Sequence, residues 1–210
     1  MVEIHRTLLI FDRLSRKAKA IEPNEFQLKF GVEYLDELYF EDLQSIEKLC
    51  AKCKKLLKKP DIKAENDWIR ALYEANFRAK NHPRLMVRYI NHRLGYGLFA
   101  AETIPAFTYI GEYSGVVRKR NRRQDRTNNY IFGYTIAHKS TPYVIDARDR
   151  GNIMRFVNHS DNPNIASHWM IVDNLCHIIF HSTELIPAGA QLTYDYGPYY
   201  WRTRTNPKEL

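Results

Sequence analysis

The sequence has few cysteines and no long apolar run. Its three cysteines are an odd number and too few for a disulfide framework. Cys50 and Cys53 form a lone CxxC within a helical pattern, so we interpret them as small core residues and expect no bound metal. No apolar run approaches the roughly 20 residues that span a bilayer, and the first 16 residues carry too many charges for a secretory signal. We therefore expect a soluble protein with no membrane partner, made in a cytosol.

The glycine-rich motif that binds dinucleotide cofactors is also missing. No GxGxxG follows a candidate strand and opens a helix, which argues against a Rossmann-type methyltransferase or dehydrogenase. The 210 residues, 44% hydrophobic and 27% charged, fit one globular domain or one domain with an appendage.

The net charge of +8 indicates acidic partners. In the second half of the chain the excess is concentrated in residues 118–126 (RKRNRRQDR), which run from Arg118 to Arg126 with six basic residues against Asp125. This basic strip can bind acidic protein residues or DNA phosphates, or it can be an exposed loop with no partner.

Periodicity divides the chain near residue 83. Residues 1–83 are predicted to form a helical N-terminal region, with helices ending at Pro60 and before Pro83. Residues 84–197 show short β-rich runs separated by turn signals, which favour several small sheets. The predicted strands are 85–91, 98–101, 109–117, 129–136, 143–146, 166–172 and 176–181. The predicted fold class is mainly β with a helical N-terminal region, α+β overall, followed by an aromatic flank at 198–210.

Residues 151–164 (GNIMRFVNHSDNPN) mix apolar and hydrogen-bonding side chains, which predicts a half-buried polar knot. Buried Asn and His need partners, because an unpaired buried polar group costs about 1–3 kcal/mol. Taken alone, the segment is equally consistent with a loop whose polar groups are hydrogen-bonded in Asx-type turns.

Three further segments accompany the knot in order: residues 95–99 (GYGLF), 111–115 (GEYSG) and 192–197 (LTYDYG). Together the four segments resemble the SET-domain protein lysine methyltransferases, over about residues 85–201. The size and the helical N-terminal region look most like the bacterial SET proteins of chlamydiae. The resemblance implies small sheets around a pseudoknot, with residues 192–197 lying beside residues 155–160.

The resemblance also implies transfer of a methyl group from S-adenosylmethionine to a lysine amine, leaving S-adenosylhomocysteine. An apolar channel would lower the pKa of that amine by desolvation, starting from about 10.4. Tyr196 matches the catalytic tyrosine of the family and Tyr113 a residue that lines the lysine channel. Tyr194 occupies a position where relatives carry Tyr or Phe, and a Tyr there predicts mainly mono-methylation, with di-methylation as the alternative.

The cofactor residues implied by the resemblance are Gly95, Tyr96, Gly97, Tyr130, Arg155, Asn158, His159, Tyr196 and Trp201. The two glycines would let the backbone approach the ligand, and Tyr96 would cover it. For Arg155 the alternative is a purely structural role. Many relatives hold a zinc ion through cysteines after the knot and after the DY motif. This chain has Asp161 and the run 199–202 (YYWR) there, so we expect Tyr199, Tyr200 or Trp201 to cover the adenine instead.

The predicted substrate is a histone or histone-like protein. A SET fold that binds chromatin or a partner without catalysis is the main alternative, and a nucleic-acid-binding protein is a second. The apolar helices can support a homodimer. If the bacterial resemblance holds, the protein acts in the bacterial cytoplasm or is secreted into a host cell and its nucleus.

Overall fold

A computed structural model describes residues 8–12, 15–201 and 204. The strands are β1 (Leu8–Asp12), β2 (Lys17–Ile21), β3 (Glu33–Tyr34), β4 (Tyr39–Phe40), β5 (Leu85–Asn91), β6 (Gly95–Ala100), β7 (Tyr109–Glu112), β8 (Gly115–Lys119), β9 (Ile131–Ile136), β10 (Lys139–Gly151), β11 (Asn158–His159), β12 (Ile165–Val172), β13 (Leu175–Ser182) and β14 (Thr193–Tyr194). The helices are α1 (Pro23–Phe30), α2 (Leu43–Leu56), α3 (Pro60–Ala79), α4 (Arg122–Asp125) and α5 (Pro198–Trp201). Strands predominate, which confirms the fold class. Within the described part of the chain, no helix is long and apolar enough to cross a bilayer.

The N-terminal region contains helices, as predicted, but it also contains strands that the periodicity did not predict. It contains β1 and β2, which form a hairpin, and β1 also pairs in parallel with β5 through Leu9 and Met86. The two helices α2 and α3 are present as predicted. Pro60 begins α3, at the first turn where its missing N–H costs nothing. The pairing of β1 with β5 crosses the proposed boundary at residue 83, and that division of domains stays a prediction.

Helix α3 packs on β12 and β7 through one apolar face. Asn66 fixes it there: its side chain accepts from the Ile171 N–H at 2.7 Å and donates to the Ile171 carbonyl at 3.1 Å. Both atoms of this buried amide are satisfied, so the helix is held to the sheet at one defined position.

Each strand predicted after residue 84 has a counterpart, although most bounds differ, β10 (Lys139–Gly151) is much longer than the predicted 143–146, and one predicted strand is divided. Residues 109–117 form two strands, since β7 pairs with β13 while β8 pairs with β10. The change of sheet occurs at Tyr113 and Ser114. Gly115 permits it, because a Cβ there would lie 2.6 Å from the Asp146 carbonyl oxygen.

The predicted neighbourhood of residues 192–197 and 155–160 is confirmed. Strands β11 and β14 pair in parallel, with Asn158 opposite Thr193 and His159 opposite Tyr194. Ser160 N–H extends the pairing by donating to the Tyr194 carbonyl at 3.3 Å. The C-terminal strand therefore passes directly beside the knot.

Candidate active site

A cluster of aromatic rings surrounds β14. The Tyr194 ring lies 4.7 Å from the Tyr196 ring, 5.1 Å from Phe180 and 5.8 Å from Phe132 between centroids. Tyr113, directly after β7, closes the cluster, with its ring 5.1 Å from Phe132. The three tyrosines predicted to be catalytic therefore lie in one aromatic cluster, in which Tyr113 is buried and Tyr194 and Tyr196 are half-buried.

Two of these tyrosines donate hydrogen bonds to backbone carbonyl groups. The Tyr113 hydroxyl donates to the Tyr130 carbonyl at 2.9 Å, and the Tyr196 hydroxyl donates to the Val157 carbonyl at 2.7 Å. A carbonyl group can accept a hydrogen bond but not donate one, so it stabilises the neutral phenol and not the phenolate. These bonds hold the hydroxyls at fixed positions on the wall of the cluster.

Burial raises the pKa of Tyr113, Tyr194 and Tyr196 well above the ordinary range of a tyrosine, because the phenolate would lose its hydration. All three are therefore neutral at physiological pH. They can desolvate and orient an amine, whereas none of them is suited to act as a general base.

Arg155 and Tyr130 form a second wall. Arg155 is buried, donating from Nε to the Ala147 carbonyl at 2.8 Å and from Nη2 to the Arg148 carbonyl at 3.1 Å. Its guanidinium lies 3.7 Å from the centroid of the Tyr130 ring. Burial lowers the pKa of Arg155, and stacking on a ring face helps to compensate for the lost hydration. These contacts favour the structural alternative for Arg155, while Tyr130 faces the cluster beside it.

Asn158 and His159 of β11 connect the knot to its neighbours. Asn158 Nδ2 donates to the Tyr96 carbonyl at 3.2 Å. His159 Nδ1 accepts from the Tyr196 N–H at 3.2 Å, so the proton of the neutral imidazole lies on Nε2. That Nε2 is buried, and its nearest carboxylate oxygen, on Asp161, is 3.5 Å away without a hydrogen bond.

Tyr96 is positioned by a residue that the sequence did not reveal. Its ring lies 5.0 Å from Phe30 at the end of α1 and 5.9 Å from Phe156 in the knot. Gly95 has a φ of +68°, in the left-handed region that favours glycine, and open space where a Cβ would be. At Gly97 a Cβ would lie 2.8 Å from Gln191 Nε2, so this glycine allows close packing on the chain leading into β14.

The aromatic flank lies over the cluster. Trp201 stacks on Tyr196 with an interplanar angle of 9° and lies 4.8 Å from the His159 ring, and Tyr200 lies 4.5 Å from Tyr196. The side chain of Tyr199 lies outside the described residues. Trp201 Nε1 and His159 Nε2 are buried and have no hydrogen-bond partner in the described part of the chain. Two donors are thus left at one rim of the cluster, where a ligand with acceptor atoms would satisfy them.

The basic strip is smaller than predicted. Arg118 is not available to a partner, because it donates to Asp146 at 2.7 and 2.9 Å and to Asp125 at 2.9 Å. The exposed members of the strip are Lys119, Arg120, Arg122, Arg123 and Arg126.

Strand β14 thus pairs in parallel with the knot, and Tyr194 and Tyr196 place their rings in the aromatic cluster beside it. Residues 95–197 match the family model of the SET domain, and the chain therefore contains a SET domain. Similar proteins include the histone-lysine N-methyltransferase SETD2 of Mus musculus, 34% identical over 57% of this chain and 5% of that protein. The histone-lysine N-methyltransferase set-2 of Caenorhabditis elegans is 32% identical over 63% of this chain and 9% of that protein. This chain thus spans a small part of these relatives.

The solved structures that resemble this chain include SUVH6 of Arabidopsis thaliana in complex with SAM. It has a TM-score of 0.48 and 26% identity, covering 55% of this chain and 27% of that chain. KRYPTONITE in complex with mCHG DNA and SAH has a TM-score of 0.46 and 31% identity, covering 54% of this chain and 23% of that chain. The named relatives are from animals, plants and fission yeast, so they do not support the bacterial resemblance.

Proposed function

We propose that this protein is an S-adenosylmethionine-dependent protein-lysine N-methyltransferase. The observation that carries the proposal is the aromatic cluster of Tyr113, Tyr194 and Tyr196, all neutral, beside the knot of a SET domain. Relatives that share this domain are named histone-lysine N-methyltransferases.

The residues around the cluster fit the cofactor. His159 Nε2 and Trp201 Nε1, which make no hydrogen bond to the described residues, belong to rings 4.8 Å apart, and an acceptor-rich ligand such as adenine would satisfy them. Gly95, Tyr96, Gly97 and Asn158 would hold the other end, since Asn158 already bonds to the backbone of Tyr96. S-adenosylmethionine supplies an electrophilic methyl group when bound.

The tyrosine cluster would prepare the lysine amine. The amine must lose its proton to become a nucleophile, and burial among rings favours its neutral form. Tyr113 and Tyr196 would hold the amine in line without adding a charge, because their hydroxyls are already fixed by carbonyl groups. The departing proton would go to solvent.

The predicted outcome is mono-methylation, with di-methylation as the alternative. Tyr194 is enclosed by Phe132, Phe180 and Tyr196. In this enclosure its hydroxyl would occupy space that a methylated amine needs.

The proposed substrate is a histone or histone-like protein, and the exposed part of the basic strip is proposed to bind DNA phosphates beside it. A basic surface would repel a lysine-rich tail on its own but would attract the DNA that carries it. Contact with DNA predicts that activity on DNA-bound substrate falls as salt rises, and activity independent of salt would contradict it.

The test is transfer of a labelled methyl group from S-adenosylmethionine to mixed histones and histone-like proteins, with intact-mass counting and Tyr196→Phe as control. We expect one added methyl group, lost in the variant. Binding of S-adenosylhomocysteine without any transfer would favour the alternative, a non-catalytic SET fold that binds chromatin or a partner.

Location is proposed on the bacterial resemblance alone, as the cytoplasm of a bacterium, with secretion into a host cell and its nucleus as the alternative. We also propose a homodimer through the helical region. Trp68 and Leu72, exposed at 60% and 45% one turn apart on α3, support the homodimer. Light scattering across a dilution series tests it.

A further inference from the structure

Arg204 connects the loop before Tyr130 to the aromatic flank. Its Nη2 donates to the carbonyl groups of Asp125 and Asn128, each at 2.8 Å. Its Nε lies 3.3 Å from Asn129 Oδ1. Asp125 ends α4, and Asn128 and Asn129 belong to the loop that leads from α4 into Tyr130.

The same guanidinium holds the aromatic flank. Arg204 Nη1 donates to the Tyr200 carbonyl at 3.2 Å, and its guanidinium lies 4.3 Å from the Tyr200 ring centroid. Its backbone N–H donates to the Trp201 carbonyl at 3.2 Å. One side chain therefore connects the flank to the loop.

Both ends of this connection reach the tyrosine cluster. On the loop side, Asn128 Oδ1 accepts from the Tyr130 N–H at 3.0 Å, and the Tyr130 carbonyl holds the Tyr113 hydroxyl. On the flank side, the Tyr200 and Trp201 rings lie against Tyr196. Helix α5 has four residues, too few to stay helical without external contacts.

We propose that Arg204 is a positioning residue that holds Tyr200 and Trp201 over Tyr196 and so keeps the cofactor-binding rim closed. The role of the rim rests on the proposed function. A planar guanidinium suits this position because its donors reach several carbonyl oxygens at once, whereas the ammonium of a lysine is a single point of charge.

The experiment follows Trp201 directly. In a Trp68→Phe background the remaining tryptophans are Trp201 and Trp169, and Trp169 is 5% exposed. Quenching of tryptophan fluorescence by acrylamide then reports mainly on Trp201. Arg204→Ala and Arg204→Lys are compared with Arg70→Ala, which removes a surface arginine bonded to Glu74 on α3.

We expect Arg204→Ala to increase quenching and to weaken S-adenosylhomocysteine binding, measured by calorimetry, about tenfold, as expected for lost hydrogen bonds to a charged group. Arg204→Lys should resemble Arg204→Ala, and Arg70→Ala should resemble the parent. Unchanged quenching, or full retention of binding in Arg204→Lys, would overturn the proposal. If the parent itself binds no S-adenosylhomocysteine, the proposed function fails, while quenching still tests whether Arg204 holds the flank.

Discussion

The Tyr196 hydroxyl donates a hydrogen bond to the Val157 carbonyl at 2.7 Å, across 39 residues of sequence. The same residue donates its backbone N–H to His159 Nδ1 at 3.2 Å. The ring of Tyr196 is thus fixed from both ends by the knot, and its position depends on the parallel pairing of β11 with β14.

Tyr196→Phe should therefore reduce catalysis more than stability. Loss of one buried hydrogen bond costs about 1 kcal/mol of folding free energy, while misplacing a reacting group can reduce the rate about 100-fold. Steady-state kinetics and thermal melts of the variant measure the two effects. Tyr73→Phe, which removes the hydroxyl of a buried tyrosine on α3, is the matched control. Equal kcat for Tyr196→Phe and the parent would contradict the assigned role.

Phe30→Ala should weaken the binding of S-adenosylhomocysteine. Phe30 is half-buried, and its ring packs on Tyr96 and Phe156, each 5.0 Å away between centroids. Removing it should loosen Tyr96 and destabilise the protein by about 2 kcal/mol, below the usual cost for a fully buried Phe. Calorimetric titration with S-adenosylhomocysteine and denaturant unfolding measure both. Leu28→Ala is the control on the same helix, since Leu28 is 88% exposed; an effect of equal size there would refute the argument.

The sequence predicted the local elements well and the long-range contacts poorly. The bounds of β5 (Leu85–Asn91) agree with the predicted strand at both ends because apolar alternation and flanking turn residues are local signals. The pairing of β1 with β5 joins residues far apart in sequence, and no local pattern specifies it. The same limit applies to the site: motif order located Tyr194 and Tyr196, whereas Phe30 and Arg204 act through tertiary contacts with residues outside their own segments.

Gly115→Ala should destabilise the fold. A Cβ at this position would lie 2.6 Å from the Asp146 carbonyl oxygen and 3.1 Å from the Ala147 nitrogen, both backbone atoms of β10. Because backbone cannot move aside as a flexible side chain can, we expect a loss of about 1–3 kcal/mol. Gly133→Ala on β9 is the control, as its Cβ would meet only Arg120 Nη2 at 3.5 Å. Urea unfolding measures the difference in stability between the two variants. Equal midpoints would show that β8 and β10 can move apart at little cost in free energy.

Acidification should destabilise the packing beneath α3. His181 stacks between Tyr73 and His168, with centroids 5.4 and 4.9 Å away, and His168 also lies near Glu65 and His138. Burial lowers the pKa of both His168 and His181, so the unfolded chain binds more protons. Their contribution to stability is full above the unfolded pKa of about 6.5 and is lost as pH falls through that value toward the folded pKa. Melting temperature should therefore fall on acidification, and less so in His168→Gln. An unchanged pH dependence in that variant would assign the effect to other groups.

Tyr194→Phe should increase the number of methyl groups added. The Tyr194 ring is enclosed on three sides by Phe132, Phe180 and Tyr196, so space near its hydroxyl is limited by side chains that are themselves packed. Removing the hydroxyl leaves room for a methylated amine to turn and react again. Intact-mass analysis of the product should show a shift from one added group toward two or three. Phe132→Tyr added to the Tyr194→Phe variant provides the reverse control, since a new hydroxyl beside position 194 should return the product toward one group. Identical product distributions for the parent and Tyr194→Phe would mean that another part of the cluster limits methylation.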